Sequence, residues 1–112
     1  MRIFIMGPYG DHNPLDVIAQ NVAKADAIGR ELVLRGHLVF IPHKMTWGWQ
    51  LDKRLRREHW IALDNDFLLH WAEVGFRLPG DSPGAEREEE LAHAHGMPVY
   101  YRIEDVPRSA RT

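Results

Sequence analysis

The stretch RLPGDSPGAEREEELAHAHGMPVYY, residues 77–101, decides how this chain folds. It reads as the end of a strand (residues 73–78), a tight Pro79-Gly80 turn, a helix opening at Ser82 or Pro83, and a further strand over 97–102. Ser is a favoured N-cap because its hydroxyl accepts an otherwise unpaired N–H of the first turn, and Pro at the first helical position gives up no hydrogen bond. Gly96 followed by Pro98 closes the helix. A strand, a short loop and a helix in direct succession form the unit from which parallel α/β sheets are built, and the loop is where such sheets hold anionic ligands.

Inside that helix, side chains turn by about 100° per residue, which puts Gly84, Glu88, Leu91, Ala92 and His95 on one stripe and Glu86, Glu89 and Glu90 elsewhere. Outward glutamates near a helix start are expected, since the positive end of the helix favours them. Glu88 is the exception, a carboxylate facing the sheet. Two readings fit it. A desolvated carboxylate held ionised by the helix start is prepared as a nucleophile, whereas a structural Glu would sit paired with an arginine.

Upstream, residues 2–6 form an apolar run without alternation, as suits a central parallel strand buried on both faces. It ends in Gly7-Pro8-Tyr9-Gly10, a turn whose glycine spacing is not that of a dinucleotide fingerprint. Asn13 as cap and Pro14 at the first position open a long helix with Leu15, Ile18, Val22, Ala25 and Leu32 as its buried stripe, ended by Gly36. A second strand covers 37–41 and stops at Pro42.

The loop HKMTWGWQ, residues 43–50, follows that strand, and its Trp47 and Trp49 must cap the core, meet a partner or stack on a ligand ring. Trp47 is the one taken as a ring-stacking candidate. Residues 51–70 are the next helix, with Trp60, Asp64, Phe67 and Trp71 on one stripe and Asp66 projecting away. Periodicity therefore favours Asp64 over Asp66 as the helix carboxylate; a buried structural Asp satisfied by local donors is the alternative.

The order strand, helix, strand, helix, strand, helix, strand implies an α/β fold: one Rossmann-like or flavodoxin-like three-layer domain over residues 1–112 with a four- or five-stranded parallel sheet, and a frayed tail at 103–112. Tyr9, His43 and the 82–88 segment then meet at one carboxyl edge, where open α/β sheets bind ligands.

With 112 residues the chain is one domain, short enough for a complete α/β unit that a partner subunit is expected. No cysteine is present, which excludes disulfides and thiolate metal sites and points to a cytoplasmic setting. The apolar residues 1–6 are too few for a membrane span. A net charge of −2 argues against general binding to nucleic-acid polymers, although Lys53, Arg54, Arg56 and Arg57 make a local basic face. Seven histidines invite a metal reading, but His93 and His95 lie roughly 200° apart on their helix, a poor chelate, and neither metal nor cofactor is expected.

Ser82-x-Gly84-Ala85-x-x-Glu88-x-x-x-Ala92 with Gly96-x-Pro98-Val99, preceded by Arg77-Leu78-Pro79-Gly80 and by the N-terminal Gly7-Pro8-Tyr9, resembles the signature of the nucleoside 2-deoxyribosyltransferase-like superfamily, in its short bacterial and phage branch. The resemblance runs over about residues 1–101. It implies that Glu88 attacks the anomeric carbon of a nucleoside or nucleoside 5′-monophosphate, that Asp64 or Asp66 assists, and that Tyr9 hydrogen-bonds the Glu88 carboxylate or the sugar. Gly7, Pro8 and Gly80 would line the pocket, His43 would contact the base, and Ser82, Gly84 and Ala85 would hold a 5′-phosphate or 5′-hydroxyl.

Relatives acting on monophosphates tend to carry Ser at the Ser82 position, which favours a nucleotide. Against that, GPYGDHNP lacks the Ser and Arg of phosphate-binding relatives, and Asp11 and Asp81 repel phosphate. The resemblance also implies a homodimer or higher homo-oligomer with sites near the interface. Two other readings stay open: a nucleotide sensor without catalysis, and an interaction module built on Trp47, Trp49 and the arginines.

Overall fold

A computed structural model describes residues 1–9 and 13–108. Its sheet has four strands, β1 (Arg2–Met6), β2 (Leu38–Phe40), β3 (Val74–Arg77) and β4 (Val99–Tyr100), in the order β2-β1-β3-β4 and parallel throughout. Four α-helices connect and flank them: α1 (Leu15–Leu34), α2 (Pro42–Met45), α3 (Arg57–His70) and α4 (Pro83–Ala94). Single 3₁₀ turns occur at Trp49–Leu51 and Ile103–Asp105.

The unalternated apolar run of β1 makes the fold three-layered. Ile3, Phe4, Ile5 and Met6 are all fully buried, and successive side chains point to opposite faces. Ile3 and Ile5 pack with Ala25 and Leu32 of α1, together with Val74, Phe76 and Val106. Phe4 and Met6 pack on the other side with Leu68 of α3 and Ala85 and Ala92 of α4. Phe40 stacks on Phe67 at 4.0 Å between ring centres, which ties β2 to α3. Gly75 in β3 leaves room for the Met6 side chain; a Cβ there would run into its terminal methyl.

Several boundaries differ from the sequence expectation. Strands β2, β3 and β4 are each shorter at both ends than the runs expected for them. Leu15 is exposed, and the buried stripe of α1 is Ile18, Ala25, Gly29 and Leu32. Pro42 does more than end β2: it opens the short helix α2, so the start of the expected 43–50 loop is helical. The following helix begins at Arg57 rather than 51, because Gly48 takes a left-handed φ of 89° and residues 49–51 close a separate turn.

On the stripe of α4, Ala85 and Ala92 join Glu88 in burial, while His95 is exposed. Residues 103–108 are not frayed: Val106 is buried in the α1-side core, and the backbone oxygen of Pro107 is hydrogen-bonded to His37 Nε2 at 2.7 Å. Residues 109–112 and Asp11 lie outside the described residues. Among the described residues no helix is long and apolar enough to cross a membrane.

Candidate active site at the carboxyl edge of the sheet

The carboxyl ends of β1, β2 and β3 open onto a cavity of about 280 Å³, close to the lower end of ligand pockets at roughly 300 Å³. Gly7 and Tyr9 reach it from β1, Pro42 and His43 from the start of α2, and Ser82 to Ala85 from the β3–α4 loop and first turn of α4. Trp60 and Asp64 of α3 and Arg87 and Glu88 of α4 complete the wall. Four strand and helix ends thus converge on one hollow because parallel strands all finish at the same edge.

Glu88 is 7 % exposed and has no hydrogen-bond partner among the described residues. Burial is the chief reason its pKa is pushed up to about 8, and the Asp64 charge raises it further, against the opposing pull of Arg87 and Arg77. The expectation of a carboxylate held ionised by the helix start is therefore corrected. With no donor to compensate its lost hydration, Glu88 is shifted toward its protonated form. Asp64 is pushed up to about 6 by burial, with Arg87 pulling the other way.

The structural ion pair belongs instead to the neighbouring Glu89, expected to point outward. Its carboxylate lies 3.4 Å from Arg77 Nε and accepts a short hydrogen bond from the Tyr101 hydroxyl.

Ser82 caps α4 as its sequence position indicates, its Oγ accepting the Ala85 N–H at 3.2 Å. That bond uses up one of the backbone donors expected for a phosphate, and Pro83 has none, which leaves Gly84 as the donor of that first turn. His43 is buried with Nε2 hydrogen-bonded to the Gly7 carbonyl at 3.1 Å; the carbonyl can only accept, so Nε2 carries the proton and Nδ1 keeps its lone pair. Burial pushes the His43 pKa down to about 4.

The Tyr9 hydroxyl lies 3.0 Å from Gln50 Oε1, to which it donates. Gln50 Oε1 also accepts the Gly48 N–H at 3.0 Å, which orients the amide with Nε2 buried and unpartnered at the cavity wall.

Of the sequence candidates, the cavity gathers Gly7, Tyr9, His43, Asp64, Ser82, Gly84, Ala85 and Glu88. Pro8 and Gly80 line a different hollow, beside Asn21 and Lys24 of α1, because the β1 and β3 loops diverge past Gly7 and Leu78. Asp66 projects to solvent with its side chain 74 % exposed and paired to His70 one turn on, so Asp64 is the inward carboxylate of α3, as periodicity favours. Trp47 is 41 % exposed and does not line the cavity, since the Gly48 turn sends only Gln50 inward.

Sequence reasoning missed Gln50, Arg57 and Arg87 as wall residues. Arg87 had a signal, being the single cation within the run Glu86–Glu90. Among the described residues no group of His, Asp and Glu is arranged to hold a metal ion.

A solved structure shares this arrangement of strands and helices. It is a 2-deoxyribosyltransferase from the psychrotolerant bacterium Bacillus psychrosaccharolyticus, described as a biocatalyst for nucleoside synthesis. The two superpose with a TM-score of 0.63 and 24 % identity over 88 % of this chain and 69 % of that one. The fold is the 2-deoxyribosyltransferase fold. No family model and no curated protein sequence matches the chain. The four-stranded deoxyribosyltransferase-like sheet thus agrees with the three-layer architecture expected from the sequence, and its carboxyl edge is where Glu88 and Asp64 meet.

Proposed function

We propose that this protein cleaves or exchanges the N-glycosidic bond of a nucleoside or nucleoside 5′-monophosphate, with Glu88 as nucleophile. The observation that carries this reading is an unpaired carboxylate, 7 % exposed, coupled to a second carboxylate across a nucleoside-sized hollow. Nothing in packing calls for such a pair, because an uncompensated buried acid destabilises the fold.

Between pH 6 and 8 the two carboxyls hold one proton between them, as Asp64 titrates at about 6 and Glu88 at about 8. One proton and one charge are what double displacement needs. As positive charge develops at C1′, Glu88 is favoured as the ionised member, and the proton is available through Asp64 for the departing base. The C1′–N bond breaks while a C1′–O bond to Glu88 forms, and the base leaves protonated. Water, or a second base, then attacks C1′; with water, Asp64 takes up the released proton and Glu88 returns as a carboxylate. Arg87 lies close enough to lower both acids and limits the repulsion between them.

The test is incubation with a panel of nucleosides and 5′-monophosphates while free base is measured. Glu88→Ala should reduce release by at least about a thousandfold, as for loss of a covalent nucleophile. Release unchanged in that variant removes Glu88 from the chemistry. Tight nucleotide binding without any turnover would favour the sensor reading.

A further inference from the structure

The rim next to the cavity has a chemistry of its own. Trp47 and Trp49 are 41 % and 38 % exposed, and Leu51 and Met45 beside them are exposed as well. Lys53, Arg56 and Arg57 follow in the chain, all exposed and without a salt-bridge partner among the described residues; Arg54, by contrast, is tied to Asp52 at 2.7 Å. Residues 47–58 hold four cations and two carboxylates, a local excess of two positive charges on a chain of net charge −2. Two flat apolar rings and three cations without a salt-bridge partner on one short flap match a ligand that carries rings and negative charges.

The flap is continuous with the site. Gln50, between Trp49 and Leu51, lines the cavity, and so does Arg57, whereas Trp47, Trp49, Lys53 and Arg56 do not. A ring stacked on either tryptophan is therefore not the ring held in the cavity. A ligand that uses both places has more than one ring and more than one charge, in sequence along a chain.

We infer that the flap of residues 47–57 binds single-stranded nucleic acid, stacking bases on Trp47 and Trp49 and pairing phosphates with Lys53, Arg56 and Arg57, so that one nucleotide of the strand is presented to the Glu88 cavity. This departs from the expectation that the overall charge excludes nucleic-acid polymers, because binding follows local charge and stacking surface rather than the net value. It extends the proposed function to a nucleotide within a strand, and the binding half stands without that function. Anionic lipid is the competing cover for tryptophans beside cations. The strand is favoured because the flap leads into a nucleoside-sized hollow.

The experiment measures tryptophan quenching and fluorescence anisotropy with a labelled ten-nucleotide single strand, its duplex, a 5′-mononucleotide, and vesicles containing phosphatidylserine. The single strand should bind at least tenfold more tightly than the mononucleotide or the duplex. Three phosphate contacts predict a slope of about −2 in log affinity against log salt, or roughly fifteenfold weaker binding between 50 and 200 mM salt. Trp47→Ala with Trp49→Ala should remove most of the quenching, leaving only that of Trp60 in the cavity wall, and weaken binding at least tenfold. Lys53→Glu with Arg56→Glu should flatten the salt slope.

Far-UV circular dichroism confirms that both variants fold. Equal binding of mononucleotide and strand, native binding by the folded variants, or quenching by vesicles but not by the strand overturns the inference. Glu88-dependent release of base from mononucleosides would persist in each of those cases, which separates failure of the flap from failure of the proposed function.

Discussion

Glu88 makes the stability of this protein depend on pH in a direction that an ordinary structural glutamate would not. Its pKa rises from 4.5 in the unfolded chain to about 8 in the folded one. Between those values the native state holds a proton that the unfolded chain releases, so stability falls as pH rises, by about 1.4 kcal/mol per pH unit, and levels off above the folded pKa.

Two other groups, buried His43 and half-buried Asp64, act at lower pH. His43, lowered from 6.5 to about 4, makes stability rise with pH across that interval, because there the unfolded chain binds the extra proton. Asp64, raised from 3.8 to about 6, makes it fall. Above pH 6.5 only the tails of these two titrations remain, of opposite sign, and Glu88 carries most of the pH dependence.

From pH 6.5 to 8.5 the wild-type protein should therefore lose about 2 kcal/mol, the part of the Glu88 interval that lies above 6.5. Glu88→Gln keeps the shape and cannot ionise, so that loss should vanish in the variant. Urea unfolding followed by tryptophan fluorescence at the two pH values reads the difference directly. Titration of other groups cancels when wild type and variant are compared. A wild-type protein equally stable at both pH values, or a variant that loses as much as wild type, would show that Glu88 is compensated in the fold and would refute the prepared-carboxylate argument.

The other predictions concern the partner acid and the tail. Asp64→Asn removes the proton held for the departing base and the like charge that helps to raise Glu88, so kcat should fall and the alkaline limb of the kcat/KM profile, set by loss of the shared proton, should disappear. A profile that keeps its alkaline limb would separate the two carboxyls. Val106→Ala should cost about 2 kcal/mol in chemical denaturation, since Val106 is buried in the α1-side core; a change within about 0.5 kcal/mol would return the tail to the frayed state that its polar composition suggests.

Local sequence settled those features that depend on neighbours along the chain. The unalternated run at residues 2–6 required a strand covered on both faces, and Ser82-Pro83 followed by Gly96 set both ends of α4 through capping and φ preference. Helical periodicity turned Glu88 and Asp64 inward and Asp66 outward, because a 3.6-residue repeat assigns faces before any partner is known.

Only the tertiary structure decided which groups share the cavity and in what state of charge. Gln50 enters it through the left-handed turn at Gly48, while Trp47 is left outside, and no periodicity encodes that turn. The protonation of Glu88 was likewise out of reach. Hydration lost on burial depends on everything packed around a carboxyl, including Asp64 from a helix 24 residues away in sequence, and that sum exists only once the chain is folded.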